Sequence, residues 1–402
     1  MPTPSRRDFL RAGLRSSSLI ALAPMVPGFL ARSARAARPE ADARVLVVIQ
    51  LDGGNDGINT VVPFEDDGYA RHRDALRLPA DRLIKIDDRL ALHPSMRGAA
   101  DLLESGRLAI VPGVGYPNPN RSHFESMAIW HSARLDPEDR TGQGWLGRAF
   151  DESGLDGSPS LLVGPGPSPT ALIGRRASAA SLERLDDYAP APLVAGLGAA
   201  ASPAPAPGDD LAAFVRRSTL DAYATADQLA ELAREGDDAR YPATGLADRL
   251  RTVARLLKAG HAARAYYATQ PGYDTHAGQL PTHGRLLSEL SGALKAFLDD
   301  LAAAGLAERV LVLCFSEFGR RVAENGSAGT DHGTAGPVLV AGPGVAAGVA
   351  GPSPSLEELE GGDLATAVDF RRVYATVLSG WMGLPAGAAL GGEFEPLPLL
   401  GG

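Results

Sequence analysis

VLVLCFSEFGR, Val310 to Arg320, takes six residues of unbroken apolar, partly β-branched sequence straight into Ser-Glu-Phe-Gly-Arg. A run without alternation fits a strand covered on both faces, which is the habit of parallel sheets sandwiched by helices. Runs of the same kind occur at Val45 to Leu51, Leu108 to Val111, Leu161 to Val163, Ala265 to Ala268 and Val338 to Ala341. Between them lie helical patterns. Leu286, Leu287, Leu290, Leu294, Phe297, Leu298 and Leu301 mark one face of a helix directly before the strand at 310, and Leu211 to Glu235 and Leu246 to Ala259 also read as helices. The alternation predicts an α/β fold with a mostly parallel central sheet. In such a sheet ligands gather beyond the carboxyl ends of the strands. Glu317 is therefore either a helix cap, an ion-pair partner of Arg320, or part of a site.

The chain has 402 residues, 45% of them hydrophobic, enough to bury a substantial core. Its start belongs to a different category. Ser5-Arg6-Arg7-Asp8-Phe9-Leu10, the weakly apolar Ser18 to Leu30 and Ala34-Arg35-Ala36 have the order of a twin-arginine signal peptide over residues 1–36. The apolar part is shorter than a bilayer span and is interrupted by Pro24 and Pro27, so no stable membrane span is expected in the mature chain. Removing six arginines and one aspartate takes the net charge from −9 to −14. A surface that acidic does not suit nucleic acid or anionic lipid. The single cysteine, Cys314, lies inside a strand run, where packing is its expected role. The signal predicts handling by the twin-arginine export machinery and a periplasmic or secreted location. Residues 37–402 read as one α/β domain, with an Ala/Pro/Gly-rich loop at 189–208 and a helical insertion around 200–260.

Chemistry-bearing residues cluster at or near the strand ends: Asp52 after the first run, Ser122-His123 after Leu108 to Val111, Asp274-Thr275-His276 after Ala265 to Ala268, and Glu317. Asp331-His332 comes just before the strand at 338. Carboxylates and imidazoles converging on one edge repel or stay protonated unless a cation neutralises them, and a divalent metal does this economically. Each has a plainer reading. Asp52 before Gly-Gly can form a turn, Ser122 can cap a helix with Glu125 at capping-box spacing, Asp274 and His276 can be loop polars, and His332 can be a core histidine. Asn55 and Asn59, held by the glycine turn, are candidate substrate contacts, as is His123. Arg320 and Arg321 could form an anion fork or an ion pair. His131 reads as packing.

Five stretches in order, Asp-Gly-Gly-Asn-Asp, Asn-Arg-Ser-His-Phe-Glu, Gly-Tyr-Asp-Thr-His-Ala-Gly-Gln, Ser-Glu-Phe-Gly-Arg and Gly-Thr-Asp-His-Gly-Thr, resemble the exported bacterial family DUF1501 over nearly the whole mature chain. That family is assigned to the alkaline phosphatase-like, sulfatase-like superfamily. The resemblance implies a three-layer α/β/α sandwich and a metal-dependent site. It implies Asp52 as a ligand of one metal, Ser122 as nucleophile, and Asp274 with His276, or His283, as ligands of another metal, joined by His332. Glu317 falls where the superfamily has an Asp ligand, and Phe318 where it has a His. Asp331 could make good that loss. A carboxylate-rich site of this kind favours Mg, Mn or Ca over Zn; alternatively a single metal remains.

The implied activity is hydrolysis of a small phospho- or sulfo-ester by in-line attack of Ser122. The only Cys is in a strand and no Ser or Cys stands in a Cys/Ser-x-Pro-x-Arg context, which speaks against a formylglycine sulfatase. Phe318 and the Asp-x-His spacing keep open a catalytically inactive, metal-stabilised binding or envelope-assembly protein. A transferase or mutase on the same fold is a third reading.

Overall fold

The computed structural model describes residues 44–155, 157–183 and 239–401. The signal sequence, the loop at 189–208, the helix at 211–235 and the first part of the insertion lie outside them. The described chain belongs to a compact unit of residues 38–184 and 236–402.

All six apolar runs are strands of one nine-stranded sheet. In chain order its strands are β1 (Val45–Asp52), β2 (Leu108–Gly115), β3 (Gly157–Val163), β4 (Ala177–Leu182), β5 (Ala265–Pro271), β6 (Val310–Phe315), β7 (Gly336–Ala341) and two short pieces, β8 (Gly348–Val349) and β9 (Val368–Asp369). The spatial order is β8-β2-β7-β6-β1-β5-β3-β4, with β9 also on β2. Every pairing is parallel except those of β7, which is antiparallel to both β2 and β6. The expected mostly parallel α/β sheet is thus what forms, with one reversed strand inside it.

The sheet is covered on both sides, which explains the unbroken apolar runs. Leu46 and Val48 of β1, Leu311, Leu313 and Phe315 of β6 and Val338 and Val340 of β7 share one core with Trp130, Trp145, Phe370 and Tyr374. These aromatics come from α2 (His123–Ser132), α3 (Trp145–Glu152) and α6 (Phe370–Ala375). Trp130 stacks on Phe315 with ring centroids 4.9 Å apart, and Trp145 on Tyr374 at 4.0 Å. On the other side α4 (Gly245–Lys258) packs on β5 and on α5 (Gln279–Ala303), which also meets α1 (Arg97–Glu104). All seven apolar residues marked for the α5 face are buried. Cys314 is buried, and burial pushes its thiol up to about 12, so it is inert packing as expected.

Candidate metal centre

Strand register sets the site's floor. Gln50 of β1 lies opposite Phe315 of β6, so Asp52 stands level with Glu317, and Asp52 itself pairs with Pro271 at the end of β5. Gly53 (φ +117°) and Gly54 (φ +78°) then turn the chain sharply. A Cβ on Gly53 would collide with the backbone N of Asp274, and one on Gly54 with the ring of Phe318, so both positions require glycine. Because β7 runs against its neighbours, its beginning reaches the edge where the other strands end. The loop before it therefore delivers Asp331 and His332 to that edge. A short backbone pairing fixes this loop: Gly319 N–H donates to Thr334 O (2.8 Å), Gly333 N–H to Gly319 O (2.9 Å) and Arg321 N–H to Asp331 O (3.0 Å).

Three histidines converge on Asp274. Nε2 of His276 is 3.0 Å, of His332 3.1 Å and of His123 3.6 Å from Asp274 Oδ1, and the two nitrogens of His276 and His332 are 2.9 Å apart. Donor atoms of His123, Asp274 and His332 all lie within 4.8 Å of one another.

The opposite nitrogen of each ring meets an acceptor. His332 Nδ1 is 2.8 Å from the Arg121 carbonyl, His276 Nδ1 is 3.1 Å from Asp331 Oδ1, and His123 Nδ1 is 2.7 Å from Glu317 Oε1. A carbonyl or carboxylate only accepts, so a hydrogen on each Nδ1 satisfies these contacts and leaves each Nε2 able to offer a lone pair inward to a cation. Two such nitrogens 2.9 Å apart can share at most one proton. His123 Nε2 is buried with no hydrogen-bond partner among the described residues. A divalent cation satisfies all of these atoms at once. Tetrahedral ligands about 2.0–2.1 Å from Zn²⁺ stand roughly 3.3 Å from each other; His276 and His332 Nε2 are 2.9 Å apart and 3.0 and 3.1 Å from Asp274 Oδ1, with His123 Nε2 3.6 Å from that oxygen. The donor set therefore fits a metal, with the outer carboxylates fixing tautomers.

Electrostatics agree with that layering. Burial would raise the Asp274 carboxyl, but the Arg320 hydrogen bond and charge, with His332 and His276, hold it at about 2. The hydrogen bond to Glu317 raises His123. Burial, and then the neighbouring Glu317 charge, raise Asp52.

Of the expected ligands, Asp274, His276 and His332 are brought together. Glu317 and Asp331 stand one layer back. Glu317 is fully buried, accepts from Gly53 N–H (3.0 Å), His123 and Ser316 Oγ (3.0 Å), and so orients a ring rather than facing the cluster. Asp52 sits beside them, its Oδ1 accepting from Gln50 Nε2 (3.1 Å). His123, expected to touch either substrate or a second metal, is the further donor at the cluster. Of His276 and His283, only His276 stands at the cluster: His283 is buried on α5 with Nε2 3.0 Å from Asn55 Oδ1. Phe318 packs its ring 4.9 Å from the rings of both His123 and His332.

Two expected substrate contacts face inward instead. Asn55 is buried, bonded to Ser316 Oγ, Thr60 and His283, and Asn59 is tied to Leu76 O and the Tyr69 hydroxyl. Arg320 is buried, with its guanidinium on the carbonyls of Gly53, Gly54, Tyr273 and Thr330 and on Asp274 Oδ1 (2.6 Å), so it braces the site and cannot reach a ligand. Ser122 is the N-cap residue of α2, but its hydroxyl caps nothing and has no hydrogen-bond partner among the described residues. Glu125 pairs with Arg140 (2.8 Å) instead of closing a capping box. His131 is held by Gln50 and Tyr267 away from the ring.

The molecule is thus an α/β protein carrying a histidine-rich candidate metal centre at the carboxyl edge of its sheet. Residues 43–384 match the family described as "Protein of unknown function (DUF1501)", and the chain belongs to that family. No curated protein matches it significantly. Solved structures similar to this chain include the PsFucS1 sulfatase from Pseudoalteromonas sp. (12% identity, 89% of this chain and 70% of that one, TM-score 0.36). Others are a protein in the alkaline phosphatase superfamily from Vibrio parahaemolyticus (9%, 78% and 67%, 0.37) and the C-terminal periplasmic domain of EcEptC from Escherichia coli, in complex with Zn (9%, 75% and 74%, 0.37). Among the described residues, no helix is long and apolar enough to cross a membrane.

Proposed function

We propose that this protein is an exported, metal-dependent hydrolase of small phospho- or sulfo-esters. One observation supports this reading most: three imidazoles turn their Nε2 atoms toward one aspartate oxygen, at 3.0, 3.1 and 3.6 Å. His123, His276, His332 and Asp274 would hold the ion. Three nitrogens and one carboxylate suit a borderline ion such as Zn²⁺ better than the Mg or Ca expected of a carboxylate-rich site. A bound divalent ion would supply Lewis-acid polarisation of the ester oxygen. The protein's own contribution is orientation. Arg320 fixes Asp274, Glu317 and Asp331 fix two rings, and Phe318 packs against the rings of His123 and His332.

Ser122 lies next to His123 at a helix start, yet its hydroxyl has no hydrogen-bond partner among the described residues, so no described side chain acts as its base. That isolation, together with Phe318, favours a second reading: a metal-stabilised binding or envelope-assembly protein without turnover. Elemental analysis of the mature protein, purified without chelator beside Asp274→Ala and His332→Ala, tests the centre. We expect about one divalent ion in the parent, much less in both variants, and turnover of phosphate or sulfate esters by the parent alone. Metal without turnover on phosphate mono- and diesters and sulfate esters would leave the binding protein, and no metal in a folded parent would remove the hydrolase. Export by the twin-arginine route is proposed from residues 1–36. Exchanging Arg6-Arg7 for Lys-Lys would retain the precursor in the cytoplasm.

A further inference from the structure

We propose that Arg121 and Arg321 form an anion-binding subsite beside the metal centre, selective for a tetrahedral oxyanion such as phosphate or sulfate. The inference deepens the hydrolase reading and rests on it for the metal. Both arginines are tied by their backbones to the site: the Arg121 carbonyl holds His332 Nδ1 (2.8 Å), and Arg321 N–H donates to Asp331 O (3.0 Å). Arg121 is also two residues before His123.

Their side chains meet at one buried carboxylate. Asp363, fully buried, accepts from Arg121 through Oδ2, and its Oδ1 lies 3.3 Å from Arg321 Nε. The hairpin that carries it is built for the purpose. Leu359 pairs with Leu364 and Glu360 with Asp363 across Gly361-Gly362, whose φ values of +62° and +86° give the tight two-residue turn that only glycine makes without strain. Thr334 Oγ1 donates to Leu364 O (2.6 Å), anchoring the hairpin two residues after His332.

Asp363 offers about four lone-pair sites to guanidinium groups with about five N–H donors each, and its Oδ1 has no hydrogen-bond partner among the described residues. Among the described residues Arg121 makes only its bond to Asp363, and Arg321 otherwise donates only to Gly361 O (2.8 Å). The side chains are 44% and 35% exposed, so unused N–H donors of both face solvent. Asp331, the nearby acid that Arg321 influences, is engaged by His276 and Asn325. Two planar donor forks held together next to a cation site fit the spread oxygens of a phosphate or sulfate group.

The probe is inorganic phosphate, and separately sulfate, titrated calorimetrically into the full mature protein, both metal-loaded and chelated, with metal content measured on each sample. Arg121→Ala and Arg321→Ala should each weaken phosphate binding about tenfold, with metal content unchanged. Removing both arginines would strand the Asp363 charge and could unfold the chain, so the decisive variant is Arg121→Ala/Arg321→Ala/Asp363→Asn. Loss of phosphate binding to the chelated form of that variant, where the chelated parent still binds, supports the subsite even if the parent holds no metal. That pattern would reject the metal centre alone. Equal affinity in parent and triple variant, or no phosphate or sulfate binding by the parent in either form, overturns the subsite.

Discussion

At the scale of single residues, Glu317 shows what the sequence could and could not reveal. Its place after a buried strand marks it as a candidate site residue, and the structure sets its carboxylate 2.7 Å from His123 Nδ1. Its depth was not legible, because the position after a strand says which edge a side chain reaches but not which layer of that edge it occupies. The carboxylate is drawn back by Gly53 N–H and Ser316 Oγ, so His123 takes the inner place. The same blindness to depth turned Asn55 and Arg320, both buried, into substrate contacts. The Gly-Gly of Leu359 to Leu364 is a hairpin signal that would have led to Asp363. If Glu317 acts through His123, Glu317→Gln should lower metal affinity about 10- to 100-fold by competition with a chromophoric chelator, and unchanged affinity would remove His123 from the ligand set. For Ser122 the unpartnered hydroxyl predicts that Ser122→Ala retains ester turnover within about tenfold, since typical loss of a true nucleophile is far larger. A collapse of turnover with metal content intact would restore it as the nucleophile.

At the scale of elements, the apolar runs were legible because a strand buried on both faces has no polar alternation to confuse it. Strand β4, Ala-Ser-Ala-Ala-Ser-Leu, was not, since small residues at a sheet edge carry neither period nor β-branching. The direction of β7 was hidden as well: its six residues read the same either way, yet the reversal is what delivers His332. The turn after β1 makes a separable prediction. Gly53 combines positive φ with close approach to Asp274, whereas Gly166, at φ +101°, has open space around the position of a Cβ. Gly166→Ala should cost only backbone strain, about 1–3 kcal/mol. Gly53→Ala should cost more in denaturant titration and also weaken metal binding, because it displaces Asp274. Equal losses in the two variants, with metal affinity intact in both, would show that the close approach is unimportant.

At the scale of the whole molecule, the site edge is held over a buried polar layer whose protonation decides acid stability. Asp56 and Arg73, both side chains fully buried, form a two-pronged pair at 2.6 and 3.0 Å, with Gln279 on the same carboxylate. Burial would raise Asp56, but the Arg73 charge and hydrogen bonds bring it to about 2. Beneath the glycine turn, burial pushes His93 and His283 down to about 4 against the pull of Asp56, which keeps both rings neutral. Unfolded, these histidines take up protons near 6.5, while the folded chain does not until about 4. Between those values the unfolded state binds more protons, so stability is complete above 6.5 and falls as the pH drops through the window, by up to about 1.4 kcal/mol per pH unit for each histidine. Asp56 adds a further loss between its ordinary 3.8 and about 2, where its carboxylate must be protonated. Urea midpoints of the chelated protein, taken from pH 8 down to 4.5, should be flat above neutrality and then decline, and His283→Gln should make the decline shallower. The chelated form is needed because protonating the ligands of a bound ion would add its own acid sensitivity. A midpoint constant from pH 7 to 5 would mean that His93 and His283, and with them His131 and His261, which burial also pushes down to about 4, are protonated or solvated in the folded chain, and that the layer beneath the candidate metal centre is open to water.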